Sequence, residues 1–104
     1  MTYFSMLLKL VMAHALTDYA IQPEQMVASK NPRRNSQWGY WMVAHAMIEG
    51  GAVWLITQSM GCAVAEVTAH FFIDWAKCEK LCDEHVDQIL HLGCKAMYVI
   101  LCSI

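Results

Sequence analysis

At 104 residues the chain has room for one domain. Apolar residues make up 58% and charged residues only 15%, with a mean hydropathy of +0.34, against roughly 25% charged in an ordinary soluble domain; this balance favours a membrane. A net charge of −2 with scattered basic residues sets nucleic acid aside as a partner, and five cysteines, an odd number lying largely in apolar runs, exclude a disulfide framework.

The first apolar segment, residues 3–22, is long enough for the roughly 20 residues that cross a bilayer, and Pro23 ends it. Residues 1–6 lack the positive charges that open a secretory signal, so a retained first helix is expected. Residues 23–37 are a polar linker marked by Pro23 and Pro32, expected to be the one long loop. The second segment, 38–60, opens with Trp38, Tyr40 and Trp41, aromatic residues that favour a water–lipid boundary. Gly61 is expected to allow a tight turn into the third segment, 62–76, which is only roughly 23 Å long as a helix. The fourth segment starts near Asp83 or Val86 and runs to the C-terminus. Cys78 and Cys82 lie at the solvent edge in this reading.

With four crossings, Lys30, Arg33, Arg34, Lys77 and Lys80 fall on one side, and the loops of the other side hold no lysine or arginine. Positive charge retained on the cytoplasmic side then predicts a multi-pass protein of the cell inner membrane with both termini outside the cytoplasm. The fold expected is all-α, a four-helix transmembrane bundle forming a single domain, with a polar His/Asp layer near the cytoplasmic side.

The layer follows from spacing. His14 and Asp18, His70 and Asp74, and Asp87 and His91 are four residues apart, which places each pair on one helix face with Cβ atoms about 5–6 Å apart. Counted inward from the segment ends, these six residues and His45 all lie about one to two turns deep. His14, Asp18, His45, His70, Asp74, Asp87 and His91 are therefore the expected metal ligands. Imidazole with carboxylate suits zinc first, then iron or manganese. Gln22, Glu49, Glu66, Lys77, Gln88 and Lys95 are expected just outside the ligands. Glu49 and Glu66 should be balanced by Lys95, with Lys9 as a weaker partner, because buried charges in an apolar surround demand pairing. His85 falls outside the stripe, and the methionines and tryptophans read as packing residues.

The run His14-Ala-Leu-Thr-Asp18-Tyr-Ala-Ile-Gln22, then Lys30, Trp38 and His45, then His70-Phe-Phe-Ile-Asp74-Trp-Ala-Lys77 and Asp87-Gln88-Ile-Leu-His91, resembles a family of short, uncharacterised multi-pass membrane proteins of bacteria and phages. That resemblance implies an integral helical membrane protein and, more loosely, similarity to membrane-bound metal-dependent hydrolases. The function expected is metal-assisted hydrolysis of a lipid head-group ester or phosphodiester, with membrane lipid as a partner. The alternatives are a metal or proton conductor, whose polar residues would continue to the far face, and a small phage-type protein that binds a host component. Association with a second copy or a host protein belongs to the same expectation.

Overall fold

The computed structural model describes residues 2–20 and 24–102. Among them are five α-helices and no strand: α1, Tyr3–Ala15; α2, Glu24–Ser29; α3, Trp38–Thr57; α4, Met60–Cys78; and α5, Glu84–Cys102. A π-helical turn, Leu16–Ala20, continues α1. The four long helices form a ring in which α1 packs on α3 and α5, α3 on α4, and α4 on α5. The short α2 lies within the stretch expected to be loop, and it packs on α3.

Local chemistry sets the helix ends. The Thr2 hydroxyl accepts the Ser5 amide at 3.1 Å, and the Ser59 hydroxyl accepts that of Cys62 at 3.2 Å, each satisfying an amide that lacks a partner in the first turn. Gln58 takes the left-handed conformation at φ 57°, closing α3. The turn expected at Gly61 is thus made by Gln58 and Ser59, and Gly61 is already inside α4.

Each long helix turns one stripe inward: Leu10 and His14 on α1; Met42, His45, Ala46, Glu49, Gly50 and Val53 on α3; Cys62, Ala63, Glu66, His70 and Asp74 on α4; Asp87, His91, Lys95, Tyr98 and Val99 on α5. The far end is closed by an apolar cluster of Leu10, Val53, Cys62, Tyr98 and Val99. Many large apolar side chains face outward, among them Phe4, Tyr40, Leu55 and Ile89.

The transmembrane bundle and its inner-membrane placement, with both termini outside, are overturned: among the described residues no helix is long and apolar enough to cross a membrane. Regular α1 has 13 residues before the π turn, about 20 Å of helix against a hydrocarbon thickness of about 30 Å. Charged residues interrupt α4 at Glu66, Asp74 and Lys77, and α5 at Glu84, Asp87 and Lys95. The 20-residue α3 is diluted by His45, Glu49 and three glycines.

One of those glycines sets the α3–α4 approach. A Cβ on Gly50 would overlap Val67 Cγ2 and lie 3.1 Å from the Ala63 carbonyl oxygen, whereas one on Gly51 meets nothing within 4 Å. Val67 is β-branched and stiff, so neither neighbour yields readily. Gly50→Ala is expected to lower stability by roughly 1–3 kcal/mol through overpacking. Gly51→Ala is expected to be neutral or stabilising by up to about 1 kcal/mol. Thermal unfolding of the two variants checks this, and equal melting temperatures would refute the close approach.

Candidate metal centre

The inward stripes meet at the end of the bundle where α1 enters its π turn. His14, Asp18, His45, Glu49, Glu66, His70, Asp74, Asp87, His91 and Lys95 are all buried. The wide turn, a feature often found at functional sites, brings both Thr17 and Asp18 inside.

His45, His70, Asp18 and Asp74 converge on one point. His45 Nε2 and His70 Nε2 lie 3.0 Å apart. His45 Nε2 is 3.1 Å from Asp18 Oδ1 and 3.3 Å from Asp74 Oδ2; His70 Nε2 is 3.6 Å and 3.4 Å from the same two oxygens. Bonds of about 2.0–2.1 Å from a tetrahedral ion to nitrogen and oxygen would hold its donors about 3.3 Å apart, close to the five distances between the imidazoles and their neighbours. The four side chains could hold a metal ion.

Around this point the orienting contacts are specific. His70 Nδ1 donates to Glu66 Oε2 at 3.1 Å, so its Nε2 is the atom presented to the centre. Glu66 also receives Lys95 Nζ at 2.6 Å and the Tyr98 hydroxyl at 3.0 Å. Glu49 Oε2 receives the Thr17 hydroxyl at 2.6 Å. Its other oxygen, Oε1, is buried without a hydrogen bond, 3.9 Å and 4.0 Å from the His45 and His70 Nε2 atoms.

On the α5 side, His91 Nε2 donates to Asp74 Oδ1 at 3.1 Å and sits 3.3 Å from Asp87 Oδ1. The His91 ring stacks on His70 with centroids 4.1 Å apart. Gln88 Nε2 donates to Asp87 Oδ2 at 3.0 Å and to Asp18 Oδ2 at 3.3 Å. His14 stands at the edge: its Nε2 donates to Gln88 Oε1 at 3.0 Å and is 3.7 Å from Asp18 Oδ2. Lys77 lies 3.5 Å from Asp87 Oδ2 at the rim.

Electrostatics follow from crowding acids around imidazoles. Burial opposes charge on His70, yet its contacts with Asp18, Asp74 and Glu66 outweigh burial and carry its pKa up to about 11. Burial likewise opposes charge on His91, and Asp74 and Asp87 raise it nonetheless. Asp74, although buried, is held well below the usual carboxylate range by His45, His70 and His91. Asp18 is held low in the same way, chiefly by His45 and His70. His14 is the exception, lowered mainly by burial.

The structure thus gathers the seven expected ligands into one buried cluster, with His14 outermost. Of the surrounding group, Glu49, Glu66, Lys77, Gln88 and Lys95 touch or adjoin it, and Gln22 lies outside the described residues. Lys9 is exposed and pairs with neither glutamate, a correction to the expected charge balance. Three contributors were not foreseen. Lys30, assigned to a solvated loop, is buried and its Nζ donates to Asp74 Oδ2 at 2.6 Å. Thr17 and Tyr98 had a legible signal, since each is three residues beyond a stripe member, His14 and Lys95; Lys30 stood among the residues that carry the family resemblance, but no helical spacing pointed to its burial. Lys30 and Lys77 also border a cleft of about 200 Å³ lined by Val27, Asn31, Cys78 and Lys80.

No curated protein and no solved structure matches the chain. Residues 6–103 match the family described as protein of unknown function DUF3307. Covering nearly the whole sequence, cluster included, that match makes the chain a member of the DUF3307 family.

Proposed function

We propose that the protein binds a divalent metal between His45, His70, Asp18 and Asp74, and that the bound ion serves metal-dependent hydrolysis of an anionic ester or phosphodiester. The carrying observation is the convergence of those four donors from three different elements: each imidazole Nε2 lies 3.0–3.6 Å from the other and from both carboxylate oxygens, and all four ligand atoms fall within 4.8 Å of one another. Charge supports it: among the described residues five buried carboxylates, Asp18, Glu49, Glu66, Asp74 and Asp87, stand against two fully buried lysines, Lys30 and Lys95. Buried charge without compensation is expensive; raised imidazole pKa values meet part of that demand in the metal-free chain, and a divalent cation would take over that role. Zinc is the first choice for this donor set, with iron and manganese also compatible.

When bound, the ion would lower the pKa of a coordinated water and polarise a substrate oxygen. Four protein donors fill a tetrahedral shell, and zinc can expand to five ligands. Glu49 Oε1, which has no hydrogen bond and lies 3.9 Å and 4.0 Å from the His45 and His70 Nε2 atoms, would be the base that takes the proton of that water. The cleft lined by Lys30, Lys77 and Lys80, linked to the centre by the Lys30 contact with Asp74, favours a substrate carrying negative charge. Elemental analysis of purified protein grown with zinc, iron and manganese should find stoichiometric metal, and a chromogenic phosphodiester should be hydrolysed in a chelator-sensitive way. Glu49→Gln is expected to retain metal while losing roughly 10²–10⁴-fold in rate, the usual worth of a general base. Protein without metal, or Glu49→Gln with full activity, would overturn the centre or the assigned base respectively.

A further inference from the structure

We infer that the cluster holds two divalent ions rather than one, with Asp18 and Asp74 each bridging between them. This rests on the reading of the first centre as a metal site and adds to it a second position made by His91, Asp87 and the far oxygens of the bridging pair.

The two oxygens of Asp74 face different partners. Oδ2 faces His45, His70 and Lys30 at 3.3, 3.4 and 2.6 Å, whereas Oδ1 faces His91 at 3.1 Å. Asp18 is divided in the same sense: Oδ1 faces His45 and His70 at 3.1 and 3.6 Å, and Oδ2 faces Gln88 and His14 at 3.3 and 3.7 Å. A carboxylate with two separately addressed oxygens is what a bridge between two ions about 3.5–4 Å apart uses.

The second position has its own donors. Asp18, Asp87 and His91 present ligand atoms within 4.8 Å of one another. Asp87 is fully buried, and its Oδ1 accepts no hydrogen bond although His91 Nε2 lies 3.3 Å away. Lys77 and Gln88 occupy the other oxygen, Oδ2. A buried carboxylate oxygen left bare is rarely tolerated without a partner, and a cation contacting Oδ1, Asp74 Oδ1 and His91 Nε2 supplies one. A third grouping, Glu66 with His70 and His91, is a poor alternative because Lys95 and Tyr98 already occupy Glu66.

Charge agrees with two ions. Two divalent cations outweigh the excess of three buried carboxylates over buried lysines by a single charge, which a bound hydroxide or an anionic substrate can carry. The second ion would lie on the Lys77 side, close to the lysine-lined cleft, so that a phosphoryl oxygen could contact both ions at once.

The test is titration of metal-free full-length protein with Mn²⁺ alone, read by binding stoichiometry and by electron paramagnetic resonance. Two ions per chain with an exchange-coupled spectrum are expected. Asp87→Asn should bind one, with the spectrum of an isolated ion. One ion per chain in the parent overturns this inference and leaves the single centre standing, whereas none overturns both. Two ions without coupling overturn the bridging carboxylates, and an Asp87→Asn protein that keeps a coupled pair overturns the assigned ligands. If Asp87→Asn does not fold, the parent's stoichiometry and spectrum still decide.

Discussion

His70→Ala and Asp74→Ala are each expected to release the metal of the His45/His70/Asp18/Asp74 centre and to lower thermal stability, and the double variant is expected to be little worse than either single one. The atoms involved share one point: His70 Nε2 and Asp74 Oδ2 are 3.4 Å apart and both lie within 3.3 Å of His45 Nε2. Ligands of one ion act as a unit, so losing one largely forfeits what the others contribute. An ion that binds only the folded state stabilises it by roughly 3–4 kcal/mol at 100 to 1,000 times its Kd, and this term should vanish in both single variants. Met97→Ala is the control, because Met97 is half exposed on the outer face of α5 and should leave metal content unchanged. Metal content per chain and melting temperature with and without added zinc are the measurements. Single variants that retain stoichiometric metal, or whose losses add in full, would count decisively against a shared ion.

Lys95→Met should have the second large effect. Lys95 Nζ donates to Glu66 Oε2 at 2.6 Å with both side chains almost completely buried. Burial pushes the Glu66 carboxyl up, but His70 and Lys95 together hold its pKa down at about 2. Removing the lysine leaves a buried carboxylate with His70 and Tyr98 as its remaining partners. Breaking such a pair from one side costs about 3–5 kcal/mol, or a fall in Tm of roughly 10 °C or more for a chain of this size. The pH dependence has a definite sign. A carboxyl whose pKa is depressed on folding contributes stability above its ordinary value of 4.5 and loses it as pH falls towards about 2. The gap between parent and Lys95→Met should therefore be widest near neutrality and narrow as the solution is acidified through that window. Adding Glu66→Gln should recover part of the loss. A Lys95→Met protein that melts with the parent at pH 7 would show that the pair contributes nothing.

Much of the cluster was legible because a helix converts sequence spacing directly into geometry. Residues four apart share a face, so Glu66, His70 and Asp74 form one stripe on α4, and Asp87, His91 and Lys95 form one on α5, whatever surrounds them. Equal depth along four helices could be counted in the same way. Lys9 shows the limit of that counting. It lies one residue off the Leu10–His14 stripe, about 100° round the helix at 3.6 residues per turn, and it faces out.

The chain's own periodicity therefore determined the four long helices, their inward faces and the residue types that meet inside them, but not the short α2. Whole-chain hydropathy could not place the protein in a membrane, because an average does not record where along each helix the charges fall, and they fall within α4 and α5. Only the tertiary structure brings Lys30 from beyond α2 onto Asp74, 44 positions away, since no local pattern encodes a contact that depends on how the chain returns across the bundle end. It alone also divides the oxygens of Asp18 and Asp74 between two sets of partners. Helical spacing specifies which side a carboxylate faces, but the direction of each oxygen depends on what the neighbouring helices place against it.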